Sequence, residues 1–445
     1  MNDKMKKPIR RFPEHSDMTP PKTYLKNTVS LCKKEKHIHF NPYQWQYLST
    51  VALEDSCVFT LTIGSAVTTS MVSDVSYSTD KGNTWINVEN VDNETVTITT
   101  PEISKGKFVL WKGNGIRYGF SGPQFYQLSY FKCEKEWEVR GNIMSLLYDN
   151  DFLNKTTLPQ SNGFTFVQLF GRSDSKLTSA KHLYLPAKVL LTRCYAYMFY
   201  QCTSLTTAPE LPATTLATNC YLSMFQGCTE LISAPDLPVT TLANGCYYRM
   251  FCDCTRLTTA PELPATTVAS TCYKEMFYGC SNLLTAPSTL PALTLYGGCY
   301  QGMFEECRSL TAAPELPATT IASSCYIDMF RFCTSLKTGP TILPALTLYS
   351  QCYRRMFRFC NNLENAPILP APILVTYCYH HMFDGANKIN HVKCLANSGF
   401  ETEDCITNWL LNTSSTGTFV KAQGVEWPSG VSGIPTGWTV EEEAV

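Results

Sequence analysis

Long apolar runs are missing from this chain. Stretches such as Val189-Leu190-Leu191 fall far short of the roughly 20 residues that a membrane-spanning helix needs, so no membrane span is expected. An excess of either charge is missing too. Lys and Arg total 36 against 37 Asp and Glu, a formal net charge of -1, which argues against a general affinity for nucleic acid. No P-loop, Gly-x-Ser-x-Gly or His-Glu-x-x-His signature occurs, and of seven histidines only His380 and His381 adjoin. Cys-x-x-Cys pairs are absent as well, the nearest approach being Cys252-Asp253-Cys254. The sequence therefore predicts no catalytic residues, no metal site and no cofactor.

Hydrophobic residues still make up 44% of 445 residues, too many for disorder and too long a chain for one compact core. A repeat resolves that conflict. From Lys181 onward the sequence recurs every 26 or 27 residues, with a first cysteine at Cys194, Cys220, Cys246, Cys272, Cys299, Cys325, Cys352 and Cys378. Met-Phe keeps step from Met198-Phe199 to Met382-Phe383. A second cysteine follows the first by eight residues until Ala386 takes its place. Within a unit, Thr214-Thr215-Leu216 and Leu205-Thr206-Thr207-Ala208 read as short strands bounded by proline. Cys220-Tyr-Leu-Ser-Met-Phe-Gln-Gly places apolar residues at i, i+1, i+4 and i+5, which predicts about one and a half helical turns, with Gly227, Gly279 and Gly385 as helix ends. No single unit can bury its own Leu, Met, Phe and Tyr, so units must stack. The expected fold class is an α/β leucine-rich-repeat solenoid of about eight strand/short-helix units, preceded by a small all-β sandwich-like domain.

This order of strand, turn, Phe-Cys helix, leucine and a strand ending in proline resembles the BspA-type leucine-rich repeats of surface and phage-associated proteins of anaerobic gut bacteria, over about residues 181–391. The unit departs from the commonest BspA-type form by using Cys-Tyr-x-x-Met-Phe where Ala-Phe is usual. The resemblance therefore implies architecture and leaves the partner open. Sixteen cysteines lie between Cys194 and Cys378, all but Cys252 in register, and are read as reduced, buried small hydrophobes instead of a disulfide framework.

The flanks read differently. Residues 1–38 form a basic arm; with Arg10, Arg11, Glu14 and His15 where a signal peptide would place its apolar core, classical secretion is not expected. Residues 39–135 carry strand patterns at Val58–Ile63, Val91–Thr100 and Phe108–Trp111, and predict a β-sandwich module. Within it, Ser78-Thr-Asp80-Lys-Gly82-Asn-Thr84-Trp85 resembles the Asp box of sialidases, whose role is to build a hairpin. Residues 136–180 read as an N-terminal cap and 392–445 as a C-terminal cap, with Trp427 and Trp438 packing inside the latter. The order of β-module, repeats and closing Gly-Ile-Pro-x-Gly-Trp segment resembles proteins encoded by gut bacteria and their prophages.

Function is expected to follow from surface, not catalysis. One reading is a recognition or adhesion protein, phage tail-associated on the virion or at the cell surface, with a protein or cell-surface glycan receptor and further virion or surface-assembly subunits as partners. The other is an intracellular protein-protein interaction scaffold in the cytoplasm. Variation among the units points to the binding face, because the two residues before each Met and the two after each Phe change freely and should be exposed. In units six to eight these columns hold Arg331, Phe332, Arg354, Arg355, Arg358, Phe359, His380 and His381, whereas earlier units offer Leu222, Gln226 and Gln301. Such side chains suit an anionic or sugar-like partner. A second candidate is an acidic column of Glu210, Asp236, Glu262 and Glu315, each following a recurring proline. Its first three members are expected about 5 Å apart on successive coils, where they would attract a cation or a basic partner.

Overall fold

A computed structural model describes residues 46–63, 75–88, 95–113, 128–159 and 164–443. The basic arm, the first residues of the β-module and the last two residues of the C-terminal cap lie outside that set.

The β-module forms because its short β-branched and aromatic runs alternate between a common core and solvent. Its larger sheet has the order β4-β3-β6-β1-β8-β9. These strands are β1 (Leu48–Ala52), β3 (Val75–Ser78), β4 (Ile86–Val88), β6 (Phe108–Gly113), β8 (Trp137–Asn142) and β9 (Leu177–Tyr184). The smaller sheet, β5-β2-β7, holds β2 (Thr60–Ile63), β5 (Val96–Thr99) and β7 (Tyr130–Lys132). Rings from the two sheets meet between them: Trp111 lies 5.1 Å from Phe131 and Phe59 lies 5.6 Å from Trp137, centroid to centroid. Each buried indole keeps a partner, Trp111 Nε1 donating to Thr50 Oγ1 at 3.1 Å and Trp137 Nε1 to Ser175 Oγ at 3.1 Å. A single helical turn, α1 (Ser145–Tyr148), follows β8.

β9 joins the module to the repeats. It pairs in parallel with β8 on one side and bridges Ser179 to Thr207 of the first unit on the other, so the edge of the module's sheet is covered. Beyond it, parallel bridges recur between equivalent residues of neighbouring units, as in Val189 to Thr215, Thr207 to Ser233 and Thr241 to Thr267. The described chain is strand-rich with few helices, and its regular aromatic ladder is compatible with a repeat solenoid.

The expected short helix is corrected by the structure: no unit between residues 181 and 391 contains one. Cys220 to Cys228 is instead a chain of turns. The amides of Leu222 and Met224 donate three residues back, to Asn219 and Tyr221, while those of Tyr221, Ser223 and Phe225 donate sideways to Cys246, Tyr248 and Met250 of the next unit. Half of the donors an α-helix would use internally are spent on the neighbour. The geometry is set by a left-handed residue at every fourth position, Asn219 (φ 54), Ser223 (φ 50) and Gly227 (φ 75), repeated in every unit. Gly227, Gly279 and Gly385 therefore occupy one left-handed column, which Gln201, Asp253, Phe332 and Phe359 share, and they end no helix. A non-glycine residue held there costs about 1–3 kcal/mol. Lateral hydrogen bonds at about 0.5–1.5 kcal/mol each oppose that cost, together with ring stacking.

Two aromatic columns run the length of the array. Tyr195, Tyr221, Tyr247, Tyr273, Tyr300, Tyr326, Tyr353 and Tyr379 stack at centroid separations from 5.4 to 5.9 Å. The Phe column starts at Phe131 of β7, passes through Phe170 and Phe199, and ends at Phe383. Trp409 closes both columns, 6.1 Å from Tyr379 and 6.5 Å from Phe383. Behind it a parallel sheet of β10 (His391–Cys394), β11 (Thr418–Lys421) and β12 (Thr439–Glu442) completes the C-terminal end. Trp427 stacks on Trp409 at 5.6 Å, and Trp438 Nε1 donates to the Ser414 carbonyl, so both serve packing. No helix among the described residues is long and apolar enough to cross a membrane.

Every cysteine among the described residues is a buried free thiol. The second cysteine of a unit reaches back to a phenylalanine carbonyl of the unit before. Cys228 Sγ donates to the Phe199 carbonyl at 3.1 Å, Cys280 to Phe251 at 3.0 Å and Cys333 to Phe304 at 3.0 Å. A small apolar side chain with a weak donor fits a site that is dry yet faces a carbonyl. Burial pushes the thiols of Cys202, Cys220 and Cys352 up to about 12, which removes the reactive thiolate. Native protein alkylated without reductant should stay unlabelled at these positions and become labelled only on denaturation. Recovery of linked peptides, for example Cys220 to Cys246, would contradict the arrangement.

Candidate functional site

The outer face of units six to eight is built on the chain of turns, whose left-handed residues turn alternate side chains away from the stacked rings. Arg355 (φ 54), Phe359 (φ 60) and His381 (φ 54) sit in the left-handed columns, and Arg354, Arg358 and His380 immediately precede them or their equivalents. The structure brings all eight sequence-selected residues onto this one face. Phe332 and Phe359 stack at 4.9 Å, with the Arg331 guanidinium 4.6 Å from the Phe332 ring and that of Arg358 4.7 Å from Phe359. His380 and His381 rings are 4.4 Å apart. Full exposure, however, is not observed: the eight are half-buried, and other members of the same columns, Leu222, Ser223, Cys252 and Ile327, are buried outright. Lateral stacking at the close spacing of neighbouring units covers much of each side chain.

Beneath the cations lie acids that a search for basic and aromatic residues passes over. Asp328 is 6% exposed and accepts from Arg355 Nη2 at 2.6 Å; Asp384 is 2% exposed and accepts from Arg358 Nε at 2.8 Å and pairs with His381 Nδ1 at 2.9 Å. Glu305 of unit five accepts from Arg331 Nη1 at 3.0 Å. All three acids occupy the same variable columns, so the column rule finds them once it is no longer restricted to cations and rings. Arg354 alone has a neutral partner, donating from Nη1 to Gln351 Oε1 at 2.9 Å, with its guanidinium 5.5 Å from the Tyr377 ring.

Burial and the charge of Asp328 push the Glu305 carboxyl up to about 7, against the pull of Arg331. Burial, then the neighbouring His381 and the charge of Arg354, hold His380 down to about 4, so it is neutral at physiological pH. Because Glu305 titrates at about 7 in the folded chain and at 4.5 ordinarily, the folded state binds the extra proton between those values. Its stability should therefore fall as pH rises through that window. The Glu305→Gln variant should lose this fall, giving melting temperatures at pH 5 and pH 8 that differ less than those of the parent chain.

The acidic candidates are placed differently. Glu210, Asp236, Glu262 and Glu315 are exposed along one edge. Glu315 is engaged with its neighbour, accepting from the Thr341 amide at 3.2 Å and hydroxyl at 2.9 Å. Among the described residues no group of three or more His, Cys, Asp or Glu is placed to hold a metal ion. In the module, Asp80 does what its box implies. It accepts from Ser78 Oγ at 2.8 Å, the Thr84 amide at 2.9 Å and Thr84 Oγ1 at 2.7 Å, while Gly82 takes φ +85 and Trp85 rests against Tyr47. Those contacts tie a hairpin.

A further surface was not anticipated from sequence. Leu293, Tyr296, Leu346 and Tyr349 stand exposed on units five and seven, beside a shallow cleft lined by Thr267, Pro291 and Leu293. Its only sequence signal is the shared Leu-Thr-Leu-Tyr where units two, three, four and six carry Thr-Thr and alanine. No family model, no curated protein and no solved structure matches the chain.

Proposed function

We propose that this chain is a non-enzymatic recognition protein, a stack of BspA-type leucine-rich repeats that presents units six to eight to a receptor on a cell surface. The observation that carries the reading is the convergence on one face of four guanidinium groups, two stacked phenyl rings and two imidazoles, on a scaffold whose interior is otherwise uniform from unit to unit. Arg and aromatic side chains are the types that dominate binding energy at interfaces. Four of the five guanidiniums in these columns fall on units six and seven, the fifth being Arg249 of unit three, which fits a localised site better than a solvated coat. A phage tail-associated or cell-surface placement, with a protein or glycan receptor, is the setting this surface suits best. Fractionation with immunogold labelling tests it: the chain should be found on virions or cell envelopes, and strictly cytosolic protein in cells free of phage would favour the intracellular scaffold instead.

A further inference from the structure

We infer that the guanidiniums of units six and seven, with the imidazoles of unit eight beside them, form an oxyanion site, built to take the sulfate or carboxylate group of an acidic saccharide. The inference rests on the recognition reading above and names the chemistry of the partner's contact group.

The cations are held before any ligand arrives. Arg331, Arg354 and Arg358 each lie over an aromatic ring, Phe332, Tyr377 and Phe359 in turn. Arg355 and Arg358 are tied from below by Asp328 and Asp384. A guanidinium carries five donors in a planar fork, so one edge bound inward leaves others for an outside acceptor. Asp328 and Asp384 are buried whereas the Arg331, Arg355 and Arg358 side chains keep 24 to 26% of their surface, so solvent meets chiefly donors there. Rigid donors lose little entropy on binding, the ordinary route to affinity for a small anion. Unfilled hydrogen-bonding capacity gathers at this same place: the Nε atoms of Arg331, Arg354 and Arg355 and His380 Nδ1 are buried without a hydrogen-bond partner in the protein. Asp328 Oδ1, buried and likewise without a hydrogen-bond partner, faces Arg331 Nε at 4.0 Å, so an outside acceptor meets the exposed edges of the guanidiniums and not these inner atoms.

The extent of the tier selects the ligand. Three units span about 10 Å at the usual strand spacing. Acids bound the run at both ends, Glu306 on unit five and Glu403 and Asp404 beyond unit eight. A duplex with one charge per about 1.7 Å would meet those acids, and the chain as a whole is not basic. One or two well-separated oxyanions fit within the rim.

His380 reports on occupancy. The groups facing it are His381, Arg354 and Arg355, which disfavour its proton, and Asp404, which favours it. An oxyanion seated beside Arg354 adds negative charge there, and the histidine's apparent pKa should rise from about 4.

Titration calorimetry and histidine NMR on the full chain test the site with a monosulfated disaccharide, its unsulfated counterpart, sodium sulfate and a short single-stranded DNA. The sulfated disaccharide should bind at least about tenfold more tightly than the unsulfated one and should shift His380. Arg354→Gln, which leaves every buried carboxylate paired, should weaken it by a similar factor. Failure of the sulfated disaccharide to bind, or indifference to Arg354→Gln, would overturn the site. Sodium sulfate binding as tightly as the disaccharide would reassign it to a free anion, and tighter binding of DNA would reassign it to nucleic acid; either result overturns the saccharide assignment. Cell binding that survives while the disaccharide fails would leave the recognition reading standing and remove only this one.

Discussion

Replacing Phe304 with alanine should lower the stability of the chain by about 3–5 kcal/mol, the cost of removing a fully buried phenyl ring and leaving a cavity. Phe304 is 0% exposed and stacks on Phe277 at 5.5 Å and on Phe330 at 5.7 Å. The effect should exceed simple destabilisation. In a stacked array each unit touches only its neighbours, so a weak interface at unit five divides the array into two cooperative halves. Denaturant unfolding of Phe304→Ala should show two transitions where the parent shows fewer. A single transition with an unchanged midpoint would mean that the rings are ornamental and that other contacts carry the stacking.

The arginines of the outer face should prove structural as well as functional. Were Arg354, Arg355 and Arg358 freely exposed, their joint replacement by serine would leave folding intact, since exposed substitutions cost little. The structure alters that expectation, because Arg355 and Arg358 neutralise Asp328 and Asp384. Taking away one partner of a buried pair costs about 3–5 kcal/mol, for the remaining charge is stranded in a dry site. Arg355→Ser and Arg358→Ser should each lower the melting temperature, and most of the loss should return when Asp328→Asn or Asp384→Asn is added to the matching arginine variant. A double-mutant cycle measures this directly. Absence of rescue would show that packing of the arginine stems, and not the charge pair, was lost.

Much of this is legible in the repeat itself. The invariant Cys, Tyr, Met and Phe of each unit are the residues that stack, and the variable positions around Met-Phe do form the outer face. The helix fails for a physical reason. Apolar residues at i, i+1, i+4 and i+5 satisfy a period of four as well as one of 3.6, and eight residues are too few to separate them. Only the scattered glycines, Gly245 and Gly298 in one column, Gly302 in the next and Gly227, Gly279 and Gly385 in the third, hint that every fourth residue is left-handed. The buried acids are hidden because Asp328 and Asp384 look, in one dimension, like any surface aspartate. Their burial depends on the unit stacked beside them, which the alternation of residues within a unit does not encode.

Stacked rings and lateral hydrogen bonds make the fold, and on the proposed reading the outer columns of units six to eight carry recognition. Exchanging the whole tier of units six to eight for the residues of unit two tests both halves of that claim at once. The changes are Asp328→Ser, Arg331→Gln, Phe332→Gly, Arg354→Leu, Arg355→Ser, Arg358→Gln, Phe359→Gly, His380→Leu, His381→Ser and Asp384→Gln, which copy Leu222, Ser223, Gln226 and Gly227, with Glu305→Gln added so that the partner of Arg331 is not stranded. The decisive measurement is binding of this folded variant to cells that the parent chain labels: a melting temperature close to the parent's with binding lost is the predicted result, and retained binding by the folded variant would contradict it.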